Sequence, residues 1–145
     1  MMATLDLTAA QTVIAAALAS ARARAAKPLA VIVLDAGGHP IAFAREDGAT
    51  FARLEIARAK AKGALGMGAD TRILAERAKG NPVFFQSVAV ALGGDMAFSP
   101  GGVLVRGPQG LVLGSVGASG DTGDCDEECV TAGLHAAGFN QEQTR

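Results

Sequence analysis

Two short β-rich runs, each doubled back across a glycine turn, constrain this chain more than anything else in it. Leu29-Ala30-Val31-Ile32-Val33-Leu34 is continuously apolar, then Asp35-Ala36-Gly37-Gly38 supplies turn chemistry, and His39-Pro40-Ile41-Ala42-Phe43-Ala44 follows as its partner. Val103-Leu104-Val105-Arg106 and Leu111-Val112-Leu113-Gly114-Ser115-Val116 flank Gly107-Pro108-Gln109-Gly110 in the same way. The pattern predicts two hairpins, with the first strand buried. Helical stretches surround them. Thr8 as N-cap opens an alanine-rich helix with Val13, Ile14, Ala17, Leu18 and Ala21 at helical spacing, ended at Lys27-Pro28. A second helix is expected from Thr50 to about Leu65, with Phe51, Leu54, Ala57, Ala61 and Leu65 on one face and Arg53, Arg58, Lys60 and Lys62 elsewhere. Gly63, Gly66 and Gly68 are expected to fray its end. Asp70 to Lys79 reads as a shorter helix stopped by Gly80-Asn81-Pro82, and roughly Asp124 to Ala137 as the last, with Val130, Leu134 and Ala137 inward. Val83 to Phe98 is apolar with no period that assigns it to helix or strand. The resulting class is α+β, an antiparallel sheet covered by helices.

The 145 residues suit one domain, 1–145. Half of them are hydrophobic, which excludes disorder, and a net charge of −1 argues against nucleic acid or an anionic membrane as partner. Six Phe with no Trp or Tyr leave the core to Ala, Val, Leu and Ile. Asp6 before the apolar stretch 7–19, and Arg22 and Arg24 after it, are wrong for a secretory signal, and no long uncharged run spans a membrane. Two cysteines make no disulfide framework. A reduced, cytoplasmic domain is the expectation.

Two blocks resemble a known family. Val33-Leu34-Asp35-Ala36-Gly37-Gly38-His39-Pro40, with Arg45-Glu46-Asp47-Gly48-Ala49 and Lys60-Ala61, is similar to the V-x-D-x-G-G, R-x-D-G-A and K-A signature of the GlcG/HbpS family. Pro100-Gly101-Gly102-Val103-Leu104-Val105, then Gly114 to Thr122 and Asp126-Glu127, resembles that family's G-G-x-P-I strand, G-x-x-G-V-S-G loop and D-E helix start. Leu104 stands where the proline is usual, Gly63 replaces a threonine, and residues 8–27 lack the histidine associated with haem ligation in the family's accessory domains. The resemblance implies a profilin-like fold with a mostly antiparallel five-stranded sheet, assembly into homo-oligomers, and haem or a related tetrapyrrole as ligand.

The residues offer several sites. Axial donors to a haem would come from His39, His135, Met67, Met96, Cys125 or Cys129, or from an oxygen ligand. His135, near the end of the last helix, suits the negative helix pole. Cys125 and Cys129, at i and i+4, lack the close spacing of structural zinc, so no metal is assigned. Asp121, Asp124, Asp126, Glu127 and Glu128 suit the positive pole of the last helix, with Asp124 or Thr122 capping it, and do not form a calcium loop. Gly117 to Gly120 is no phosphate loop, because no Lys-Ser/Thr follows. A ligand pocket is expected where the Arg45 loop, the Gly101-Gly102 strand start and the Ser119-Gly120 loop meet. Arg45 would anchor a carboxylate such as a propionate, with Asp47 and Ser119 beside it, and Gly101, Gly102 and Gly120 would admit close backbone approach. A different reading is a cofactor-independent lyase or isomerase in which Arg45 orients a small carboxylated or aromatic metabolite. There Glu55, Lys60 or Asp121 moves a proton, Lys60 with a depressed pKa if it is buried among alanines. A third is a structural oligomer subunit without ligand.

Overall fold

A computed structural model describes residues 4–139. Five helices and four strands follow in the order α1 (Leu7–Ala23), β1 (Ala30–Asp35), β2 (Pro40–Arg45), α2 (Ala52–Met67), α3 (Thr71–Gly80), α4 (Pro82–Ala91), β3 (Gly102–Arg106), β4 (Val112–Ser119) and α5 (Gly123–Ala136). All pairings are antiparallel and the sheet order is β2-β1-β4-β3. Both expected hairpins form. The sheet of the described residues has four strands where the family resemblance implies five. The untyped segment contributes no strand to it: Pro82 fits the first turn of α4, where its missing N–H has no helical partner anyway, and residues 92–101 form a connection.

The period-2 alternation divides the sheet between two helical layers. Val31 and Val33, Val103 and Val105, and Val116 and Ala118 pack with α1 and α5. Ile32 and Leu34 face the other way, against Ala57 and Ala61 of α2. On that side the strands carry small residues under the helix. A Cβ at Gly117 would lie 2.0 Å from the Ala57 carbonyl oxygen, and one at Gly102 2.4 Å from that of Lys60. Ser115 Oγ donates to the Ala61 carbonyl at 2.8 Å. Backbone rests on backbone, so α2 sits closer to β4 and β3 than side chains would allow.

Several details differ from expectation. Asp6, not Thr8, caps α1, accepting from Ala9 N at 2.9 Å. α2 does not fray at its glycines: it runs to Met67, and Gly68, at φ 72°, ends it in the left-handed conformation that glycine adopts without strain. Gly63 within it makes room for Met96, whose sulfur would lie 2.2 Å from a Cβ there. Phe51 is 81% exposed because it precedes the first helical turn, while Lys60 is only 3% exposed because its side of the helix faces the sheet. Thr122 caps α5, accepting from Cys125 N at 3.2 Å.

The close seat of α2 predicts that Gly117→Ala lowers stability by about 1–3 kcal/mol in urea denaturation, the usual cost of overpacking. Gly80→Ala, with nothing within 4 Å of the new methyl and no left-handed φ, should leave the midpoint unchanged or slightly raised.

Candidate functional site

The three segments expected to form a pocket meet at one end of the sheet. Arg45 pairs with Ala30, and Ala30 with Ser119, so these three side chains share the α2-facing side of the sheet. Gly102 pairs with Gly117, and Ala118 N donates to the Gly101 carbonyl at 3.0 Å.

The arginine side of this end is open. A depression of about 450 Å³ is lined by Arg22, Pro28, Arg45, Glu46 and Asp47. Glu46 holds its wall, accepting from Leu29 N at 2.8 Å and from Arg22 Nε at 3.0 Å. The depression does not reach Gly101, Gly102 or Gly120. The space beside those glycines is filled by the chain itself: a Cβ at Gly101 would meet Lys60 Nζ at 2.9 Å, and one at Gly120 the Pro28 carbonyl at 2.2 Å. These glycines admit the protein's own atoms where a ligand's close approach was expected.

α2 packs on β1, β3 and β4, and among the described residues no helix packs closely on its side of β2. Phe43 and Arg45 alternate on that open face, Phe43 59% exposed. Arg45 donates from Nη1 to the Ala49 carbonyl at 2.5 Å and has no carboxylate partner among the described residues. Arg53, in the first turn of α2, donates to Ser119 Oγ at 3.3 Å and likewise lacks a carboxylate. Arg53 was not singled out from sequence; its signal is the seven-residue interval to Lys60, two helical turns along one face.

Lys60 is the buried charge of this end. Its ammonium donates to the Ala118 carbonyl at 2.9 Å and to Asp126 Oδ2 at 3.2 Å. Asp126, on α5 and 1% exposed, also accepts Asp121 N at 3.0 Å. Desolvation pulls the Lys60 amine below its ordinary pKa, and the Asp126 carboxylate opposes that pull. Lys60 therefore lies among alanines, as its sequence neighbours suggested, but it is engaged on every side. Asp126, read only as one carboxylate at a helix pole, is its counter-ion.

The other proton-transfer candidates point elsewhere. Glu55 is an exposed partner of Arg58 at 3.9 Å. Asp121 accepts Lys27 N and Thr122 N, both at 2.8 Å, and these hydrogen bonds hold its carboxyl below the usual range. Glu55, Lys60 and Asp121 line neither the depression nor the second cleft described below.

The acidic run is spent on ion pairs. Arg72 binds Asp124 at 2.5 Å and Glu127 at 2.8 Å, and Arg24 binds Glu128. Among the described residues no group of three or more His, Cys, Asp or Glu side chains is placed to hold a metal. Desolvation, with the Cys129 sulfur next, pushes the Cys125 thiol up to about 11, and Cys129 is fully buried. Cys125 is a protonated thiol at neutral pH rather than a thiolate. Met96 is packed beneath Gly63, and His135 is exposed at the end of α5. His39 sits in the β1–β2 turn with Nδ1 3.5 Å from Asp35 Oδ1. Beyond that turn a cleft of about 370 Å³ is lined by Gly37, Gly38, Leu65, Leu92, Lys62 and Asp95, among others. No helix of the described residues is long and apolar enough to cross a membrane.

Comparison with known proteins identifies a family and a shared fold. A family model described as the haem-degrading protein HbpS-like family matches residues 5–135. The crystal structure of HbpS superposes with a TM-score of 0.79 at 29% identity, covering 93% of this chain and 91% of that one. A doubly substituted HbpS from Streptomyces reticuli gives 0.78 at 29%, covering 93% and 88%. A PduOC–heme complex gives 0.84 at 23% identity, covering 97% and 99%, and shares the fold. No functionally curated protein matches the chain.

The captured carboxylates make acid stability testable. Asp35 accepts from His39 N and Gly37 N, and Asp121 from Lys27 N and Thr122 N, so both have folded pKa values below their unfolded ones. Such a group contributes stability fully above the unfolded value of about 3.9, and the contribution is lost as pH falls through the folded value. Asp121→Asn should be less stable than the parent at pH 7 and converge with it as pH falls through the folded value of Asp121, as read by urea midpoints against pH.

Proposed function

The chain belongs to the HbpS-like family, and from that premise we propose that it is a small-ligand-binding protein taking a carboxylate-bearing planar ligand, haem or a related tetrapyrrole, on the open face of β2. We read it as a single profilin-like domain working as a homo-oligomer. The observation that carries the reading is Arg45: a guanidinium with no carboxylate partner among the described residues, beside a largely exposed Phe43 on a face no helix covers. Such a cation binds a propionate through charge-assisted hydrogen bonds, and the aromatic ring offers apolar area to a macrocycle. Asp47 rims the same depression. Arg53 and Ser119, two strands further in, offer a second donor pair.

The donors present fit haem in kind. A ligating imidazole ordinarily gives its other nitrogen to a carboxylate, and His39 has Asp35 at 3.5 Å from Nδ1, leaving Nε2 without a protein partner among the described residues. Met96 and Cys129 are enclosed by packing, whereas His39 and His135 are both exposed; of these two, His39 is the one with a carboxylate beside its ring. A bound haem supplies an iron centre for ligand or redox chemistry; the residues named here hold and orient it. Support for haem comes from the family and from HbpS itself, whereas the lyase or isomerase reading needs Glu55, Lys60 and Asp121 to converge on a cavity.

Haemin titration of the purified protein should give a sharp, saturable Soret band. Arg45→Ala should weaken binding roughly tenfold or more, the loss of one charge-assisted hydrogen bond. His39→Ala should shift the band position. A broad spectrum that never saturates, or identical titrations for parent and variants, rejects the proposal.

A further inference from the structure

The end of the sheet opposite Lys60 carries a second opening, which the reading above does not use. This cleft of about 370 Å³ lies between the β1–β2 turn, the last turns of α2 and the segment that leaves α4. Its walls are held by hydrogen bonds of their own. Asp35 Oδ1 accepts Gly37 N at 2.9 Å and His39 N at 3.0 Å, and Gly38 N donates to the Asp35 carbonyl, which fixes the turn. Gly94 N donates to the Ala89 carbonyl at 2.9 Å and Asp95 N to that of Leu92 at 3.3 Å, which fixes Leu92 and Asp95 beyond α4. Walls that stand without a ligand make the cleft preformed, and its volume lies at the small end of the range for small-molecule sites.

The polar groups of the cleft are unevenly engaged. Lys62 Nζ donates to Asp95 Oδ2 at 2.9 Å, and among the described residues its other two hydrogens have no acceptor. Asp95 turns its second oxygen to Arg58 Nη2 at 3.5 Å, and Asp35 is taken up by the turn. The carboxylates here are engaged, whereas the lysine keeps donors to spare. Leu65 and Leu92, both half-buried, supply apolar wall. Between them lies Gly66, where packing does not require a glycine: a Cβ there would come no nearer than 3.8 Å to Leu92. Alanine would be the better helix former at that position, so the missing side chain leaves room in the cleft at a cost to the helix. Gly63, three residues earlier, differs, because Met96 occupies its space.

We propose that this cleft binds a small monocarboxylate with an apolar body, its carboxylate on the Lys62 ammonium and its body between Leu65 and Leu92 over Gly66. The lysine supplies charge-assisted hydrogen bonds, and the leucines and the glycine gap take the apolar part out of water. A cationic ligand would meet Lys62 and Arg58, and a neutral one would leave the spare donors of Lys62 unused. The site is separate from the Arg45 depression. The cleft lies at the turn end of β2 and Arg45 at the other, and a strand of that length spans roughly 17–20 Å.

Nitrogen–proton correlation spectra of the full chain, titrated with isovalerate and 3-phenylpropionate, test this. At least one acid should shift the amide signals of Gly37, Gly38 and Gly66 saturably, and its amide, the neutral isostere, should bind about tenfold more weakly or worse. Lys62→Met should erase that preference for acid over amide. Gly66→Leu, at an exposed helical position, fills the gap; it should abolish binding while the far-ultraviolet circular dichroism stays that of the parent. Arg45→Ala should leave the titration unchanged. No saturable shift at the three glycines with either acid, equal affinity for acid and amide, or unaltered binding by Gly66→Leu overturns the proposal. Shifts confined to the amides of Arg45, Glu46 and Asp47 would overturn it and leave the reading of the β2 face standing.

Discussion

The Lys60–Asp126 ion pair joins the two helical layers across the end of the sheet. α2 lies on one face and α5 on the other, so the lysine reaches its carboxylate by passing the start of β3, at Gly101, where a side chain would collide with the ammonium. Each partner is held by a second contact as well, the lysine by the Ala118 carbonyl and the aspartate by Asp121 N. A charge buried this deeply survives only when its hydrogen bonds are complete, so these contacts must form together. The β4–α5 connection is thereby fixed against α2, and with it the place of Ser119 beneath Arg53.

That clamp also explains the glycines. Gly102 and Gly117 let α2 rest on the sheet backbone, Gly101 lets Lys60 pass, and Gly120 accepts the Pro28 carbonyl. They mark a tightly packed sheet end, which is why the open depression lies two strands away, at β2. There α2 no longer covers the sheet, and the phenylalanine and arginine of that strand remain available. One end of the sheet is closed by its own charges and the adjoining edge is left open.

The fold was largely legible because hairpins advertise themselves through turn residues between apolar runs, and helices through capping and spacing. α4 was not, because Val83-Phe84-Phe85 and Val88-Ala89-Val90 are apolar on all sides and a uniform helix has no period to read. Within the site, Arg45 and Ser119 could be placed by their motifs. Lys60 was recognisable as a lysine flanked by alanines, but its counter-ion lies 66 residues away in an acidic run of which Asp124, Glu127 and Glu128 pair with arginines. Pairing across such a distance depends on how layers stack, and local pattern does not encode that.

A double-mutant cycle on Lys60→Met and Asp126→Asn, read by urea denaturation, addresses the clamp itself. The account predicts that each single change is strongly destabilising and that the double variant recovers part of the loss, with a coupling energy of about 2 kcal/mol or more. Additive effects, with coupling near zero, would show that the two layers are held together by apolar packing alone and would contradict it.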